Sequence, residues 1–270
     1  MLGVYLSSTS FRLYLPDWIF VGVLVVLFAI VERASPFERK FSLEDITIQH
    51  PFAHVERVSD ELLYILTGIL PAICIVLIVF WRRKVGQLTH FDALHLLSVS
   101  LLGFSLTYIF TGVVTDVLKV WISRPRPDFL DRCGPKKKTS PTALVGLEVC
   151  TMPLGEMYLL DGMKLTPSGH SSLSFAGLLY FSLWIVGQFK LVNLATKLWV
   201  WLVVPTIPII LAVYIALSRT QDYRHHFFDV ILGLAIGVAI SWKIYFRIFL
   251  GLNDKNSDKD RRELEEKILP

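Results

Sequence analysis

Three short segments of this chain carry residue types that can bind and transfer a phosphoryl group. Residues 119–127 read KVWISRPRP and hold Lys119 and Arg126. Residues 167–170 read PSGH and end on His170, and residues 218–229 read SRTQDYRHHFFD and hold Arg219, His225, His226 and Asp229. Phosphoryl transfer asks a protein mainly to place the reactants and to stabilise charge on the equatorial oxygens. A lysine and two arginines supply that charge from side chains, the arginines through a fork that matches two phosphate oxygens at once. A histidine whose one ring nitrogen is fixed by a carboxylate has the other free to attack phosphorus. If a helix has begun by residue 225, His225 and Asp229 are four apart and face the same way. His226, three residues from Asp229, could also reach it, and Asp222 could orient a histidine from a turn; spacing leaves these alternatives open.

The middle segment reads as a helix entry, with Thr166 as N-cap and Pro167 at the first helical position. The backbone N–H groups of Ser168, Gly169 and His170 would then point at an anion, and Gly169 leaves room for its oxygens. Arg124, Arg132, Lys136, Lys137 and Lys138 read as a solvated loop. His50 and His54 have the spacing of a metal pair, but no third ligand is obvious, and no metal or cofactor is expected. His90 and His95 are assigned no chemistry.

The elements that must position these segments are membrane helices. The 270 residues are 53% hydrophobic and 13% aromatic, with a mean hydropathy of +0.55, which points to an integral membrane protein. The net charge of +4 is spread along the chain, so a nucleic-acid partner is not expected. A hydrocarbon core of ~30 Å takes about 20 apolar residues. Runs at 62–81, 93–118, 198–217 and 228–250 meet that length, 173–189 is shorter but nearly free of charge, and 18–31 is the weakest because Pro16 and Asp17 cut it off. The first run is not read as a cleaved signal, because Glu32-Arg33-Ala34 is a poor small-residue cleavage site.

The fold expected is therefore all-α, a polytopic membrane protein of six transmembrane helices. One domain covers residues 1–252, and the charged tail 253–270 reads as a solvated extension. With six spans, the three motifs fall at helix ends on one face. Ser98, Ser105, Thr111 and Thr115 in the third run would let helices approach closely, and Gly233 with Gly237 forms a small-xxx-small pattern best explained by internal packing. A carrier or lipid scaffold would place polar residues deep within several spans; here the charges cluster at one face.

Taken together, Lys119-x6-Arg126-Pro127, Pro167-Ser168-Gly169-His170 and Ser218-Arg219-x5-His225-x3-Asp229 resemble the three-part signature of the type-2 phosphatidic acid phosphatase superfamily. The likeness runs from about Pro36 to the sixth span and is greatest to the fungal diacylglycerol pyrophosphate phosphatase branch. The resemblance implies a phosphohistidine on His225, oriented by Asp229, with His170 as general acid. It also implies that Lys119, Arg126, Ser168, Gly169 and Arg219 hold the phosphate. The substrates it implies are membrane lipid phosphates, namely diacylglycerol pyrophosphate, phosphatidate and lysophosphatidate. A soluble phosphate ester, or transfer of the phosphoryl group to an alcohol, is the alternative of the same type. Oligomeric state is not read from the sequence.

Lys and Arg are nearly balanced between the two faces, but three on the motif face are there for chemistry, and Arg82-Arg83-Lys84 is the kind of cluster that holds a loop in the cytoplasm. With the resemblance, this places the active site on a luminal or extracellular face, in a vacuolar or other endomembrane, with both termini cytoplasmic. Cys133 and Cys150 then share an oxidising loop and are expected to pair.

Overall fold

The computed structural model describes residues 2–192 and 196–262; residues 263–270 of the expected tail lie outside them. Six helices are long and apolar enough to cross a membrane: Thr9–Glu32, Asp60–Lys84, His90–Ile122, Gly169–Gln188, Leu198–Gln221 and Phe227–Ile248. Among the described residues no strand forms, only isolated bridges. The protein is an all-α integral membrane protein with the expected six spans.

The second and third spans extend beyond their apolar runs because polar residues cap them. Ser59 Oγ accepts from the Leu62 N–H at 3.3 Å. Thr89 Oγ1 accepts from the Asp92 N–H at 3.1 Å, while the Asp92 carboxylate accepts from the Thr89 N–H at 3.4 Å, a reciprocal capping box. The third span reaches Ile122 and places Lys119 inside its last turn rather than at its end; Ser123, in the left-handed region at φ 45°, terminates it. Within the second span, Ile65–Ile69 is a π-helical turn, a bulge that frequently marks functional sites.

The fourth span is the central post. Of its most apolar stretch 89% is buried, against 17–50% in the other five. A helix surrounded by protein need not be strongly apolar, so it buries Ser171, Ser172, Ser174 and Ser182, which is why its hydrophobic run looked short. Close approach makes this possible. A Cβ on Gly233 would lie 2.4 Å from Ser168 O, and one on Gly237 would lie 2.3 Å from Ser172 O. The small-xxx-small pattern thus packs the sixth span directly on the fourth. In the third span, Thr111 back-bonds to Thr107 O at 2.7 Å, and Thr115 Oγ1 meets Ser172 Oγ at 2.8 Å.

On the face of the lysine-bearing helix end, residues 123–165 fold over the bundle as a small cap. Cys133 and Cys150 are joined in a disulfide beside Phe41, Phe129, Leu159 and Met163, which form a separate apolar core. On the opposite face the termini meet. The tail is not a solvated extension over its described part: Ser257 and Asp260 are buried, Asp260 accepts from Tyr14 Oη at 2.5 Å and lies 3.0 Å from His95 Nε2. Arg82 donates to Gln188 Oε1 at 2.6 Å and pairs with Asp258 at 3.3 Å. The tail's charges find partners on the helix ends, so charge density alone misread it.

Candidate active site

The ends of the third, fourth and fifth spans and the turn into the sixth enclose a cavity of about 900 Å³ whose walls include Lys119, Arg126, Gly169, His170, Arg219 and His225. All three motifs therefore converge. Lys119 Nζ crosses the bare Cα of Gly169, where an added Cβ would lie 2.9 Å from it. Ser168, wholly buried, is the N-cap of the fourth span and accepts from the Ser171 N–H at 3.4 Å. The cap is thus two residues later than the sequence suggested. The Ser168 N–H is also not free, since it donates to Asp229 O at 3.1 Å. No hydrogen bond of the described residues takes the N–H groups of Gly169 and His170 at the helix start.

Each cation has a carboxylate behind it. Lys119 lies 3.4 Å from Asp116. Arg126 donates Nε to Asp161 O at 3.0 Å and Nη2 to Asp161 Oδ1 at 2.8 Å. Arg219 donates Nη1 to Glu56 Oε2 at 2.7 Å and to Val58 O at 3.0 Å, leaving its buried Nε unpartnered among the described residues. Burial alone would raise the Asp161 carboxyl, but Arg126, Arg132 and Lys119 together hold it well below the usual range.

A second layer was missed. Arg132 is wholly buried rather than solvated: its Nε and Nη2 bind both oxygens of Asp128 at 2.9 and 3.0 Å, and its Nη1 reaches Asp161 at 2.8 Å. Arg224 spans Asp128 at 2.9 Å and Glu56 at 2.7 Å and stacks over Phe52, 4.2 Å from the ring centre. Only Arg224 had a sequence signal, being inside the third motif. Asp222 does not orient a histidine; it accepts from Arg57 N at 2.9 Å and Arg57 Nη1 at 2.5 Å. His50 stacks on Tyr223 and His54 packs edge-on to Phe52.

The histidines differ from expectation in one respect. Asp229 is buried, but its carboxylate accepts from Thr166 Oγ1 at 2.6 Å and from the His226 N–H at 3.0 Å. His225 Nδ1 is buried with no partner among the described residues. The reason is where the helix starts: His226 is the N-cap and the sixth span begins at Phe227, so His225 lies in the preceding turn and helical i, i+4 spacing does not apply. Burial first, then Arg126, Arg219, Lys119 and His170, push His225 well below the ordinary imidazole value, so its ring is neutral at neutral pH. His170 Nε2 lies 3.0 Å from Val58 O; a carbonyl only accepts, so that nitrogen carries the hydrogen. His170 Nδ1 lies 3.8 Å from Asp60 Oδ1.

A buried neutral imidazole edged by a lysine, two arginines and a helix start can hold a tetrahedral anion beside a ring nitrogen that has a free lone pair. A family profile described as the PAP2 superfamily matches residues 100–251, from the third span to the end of the sixth. The chain belongs to the PAP2 superfamily. It is 41% identical over 244 residues to diacylglycerol pyrophosphate phosphatase 1 of Saccharomyces cerevisiae, covering 89% of this chain and 81% of that one. It is 40% identical to the probable diacylglycerol pyrophosphate phosphatase 1 of Schizosaccharomyces pombe, over 83% and 76% of the two chains. With lipid phosphate phosphatase 1 of Arabidopsis thaliana the identity is 32%, over 86% and 67%. No solved structure matches. The PAP2 match covers all three motifs and all but two of the spans.

Proposed function

We propose that this PAP2 member is a lipid phosphate phosphatase that removes the terminal phosphate of diacylglycerol pyrophosphate, phosphatidate and lysophosphatidate without a metal. The observation that carries the reading is the neutral, buried His225 facing a cavity shared with Lys119, Arg126 and Arg219. With Nδ1 turned into the protein, Nε2 borders the cavity. Its lone pair forms the N–P bond as the bond from phosphorus to the leaving oxygen breaks and that oxygen keeps the electron pair. Lys119, Arg126, Arg219 and the helix start at Ser168 and Gly169 stabilise the charge on the equatorial oxygens.

His170, its Nε2–H held by the Val58 carbonyl, donates a proton from Nδ1 to the leaving alkoxide. Water then forms the new P–O bond, the N–P bond breaks, its electron pair returns to His225, and the water proton passes to His170. Asp229 acts as a positioning residue: by holding Thr166 and the His226 N–H it ties the second motif to the third.

The names of the relatives support lipid substrates, as does a cavity at helix-end depth. The disulfide supports an active site on the luminal or extracellular side, because such bonds persist in oxidising compartments. The termini, which share the opposite face, would then be cytoplasmic, and an endomembrane such as the vacuolar one fits. Residues 1–252 are proposed as the phosphatase domain. The test is purified protein in mixed micelles with excess EDTA, offered the three lipids and one sugar phosphate. Phosphate release from the lipids supports the proposal; an absolute Mg²⁺ requirement or a preference for the sugar phosphate overturns it.

A further inference from the structure

Lys164 belongs to none of the three motifs, yet it lines the same cavity as Lys119, Arg126, Arg219 and His225. It sits just past the short helix Glu156–Gly162, and its backbone N–H is fixed to Asp161 O at 2.9 Å. Its ammonium donates to one acceptor, the Glu32 carbonyl at the end of the first span, at 2.9 Å. An ammonium has three donors, so two remain. Lys119, Arg126, Arg219 and Arg224 each have a carboxylate within ion-pair distance; among the described residues no ion pair is formed by Lys164.

Lys119, Lys164 and His225 line one cavity. Burial first and Lys119 second push the Lys164 ammonium below its ordinary value, against the opposing pull of Asp116, Asp161 and Glu32. A cation that lines the cavity with two donors unused and no ion pair among the described residues is suited to an anion beyond the one phosphate that Lys119, Arg126 and Arg219 would hold. In-line displacement puts the leaving group opposite the nucleophile, so the leaving group extends away from His225 into the rest of the cavity that Lys164 lines.

Resting on the phosphatase reading above, we infer that Lys164 binds the leaving phosphate of a lipid diphosphate, making a second anion subsite that selects diphosphate over monophosphate substrates. When His225 takes the terminal phosphorus, the bond to the bridging oxygen breaks and its electron pair stays on that oxygen, now a terminal oxygen of the released phosphomonoester. This leaving group needs a cation rather than a proton. An alkoxide leaving a monophosphate needs the proton of His170 instead. The two residues therefore serve different substrates.

The experiment is kcat/KM in mixed micelles for diacylglycerol pyrophosphate and phosphatidate with wild type, Lys164→Met, Lys164→Arg and Arg33→Ala. A charge-assisted hydrogen bond of the usual strength corresponds to about a 10- to 100-fold effect. Lys164→Met is expected to lower the diphosphate-to-monophosphate ratio of kcat/KM by that factor. Lys164→Arg should restore most of the ratio. Arg33 lines the cavity but turns its guanidinium back to Ala29 O at 3.1 Å, so Arg33→Ala should leave the ratio where it is. An equal loss on both substrates, or no change with Lys164→Met, overturns the subsite. Wild type that hydrolyses neither lipid defeats the phosphatase reading instead.

Discussion

Gly169→Ala separates catalytic placement from folding. The added methyl carbon would lie 2.9 Å from Lys119 Nζ, while ordinary contact begins at 3.4 Å. The lysine must retreat by about 0.5 Å, and it can, because the clash is with the far end of a flexible side chain. Misplacement by about 1 Å can cost ~10²-fold in rate, so half that shift is worth roughly tenfold, with more where the methyl also crowds the phosphate oxygens. We expect kcat/KM to fall about 10- to 100-fold, or roughly 1.4 to 2.7 kcal/mol of transition-state stabilisation. Stability should hold or rise slightly, since alanine is favoured over glycine in a helix by roughly 0.5–1 kcal/mol. Gly237→Ala is the counterpart: its methyl would meet Ser172 O, a backbone atom, at 2.3 Å, and overpacking of this kind costs about 1–3 kcal/mol. That variant should lose thermal stability. Kinetics in mixed micelles and detergent thermal melts give both readouts. Wild-type kcat/KM in Gly169→Ala, or a lower melting temperature there than in Gly237→Ala, would refute the placement of Lys119 over the helix start.

His225→Ala is expected to abolish turnover, and His226→Ala to leave most of it, with an acid-labile, alkali-stable phosphoenzyme trapped from wild type; inactivity of the His226 variant instead would move the nucleophile. Because His225 must be unprotonated to attack and burial with its cationic neighbours lowers its pKa, activity is lost as pH falls through a value below the ordinary 6.5. Residual activity of Lys119→Met, with one positive charge fewer, should show that acid limb of kcat/KM at higher pH; a limb moving down contradicts the assignment. Cys133 and Cys150 should resist thiol labelling in intact vesicles until reduced, and then react with impermeant reagent only from the luminal side. Labelling from the cytosolic side reverses the topology.

The spans were readable because each needs a contiguous apolar run, and the motifs because each is contiguous too. What escaped lay between segments. Arg132 and Asp161 are brought together by the short helices Phe129–Cys133 and Glu156–Gly162, and nothing local marks Arg132 as buried or the two as partners. A shift of two residues in a helix start was enough to give Asp229 different partners, since a carboxylate bonds to whatever donors the turn presents. The tail misled for a related reason: Asp260 reaches Tyr14 across 246 positions, and charge density says nothing about partners that far away.

The carboxylates behind the cradle explain how so many cations can be buried at a membrane face. A buried unpaired cation costs several kcal/mol, so Lys119 with Asp116, Arg126 with Asp161 and Arg219 with Glu56 form a set stable without substrate. Those pairs use only part of each donor set; Arg219 Nε, for one, has no partner among the described residues. Substrate therefore meets donors already held in place, with their charge partly balanced. Removing a carboxylate would leave more net charge for the anion but less fixed geometry. Affinity and catalysis should then part company: Glu56→Gln should bind vanadate more tightly than wild type and yet turn over more slowly, because Arg219 gains free charge and loses its anchor. Weaker vanadate binding in that variant would show that the pair serves binding alone.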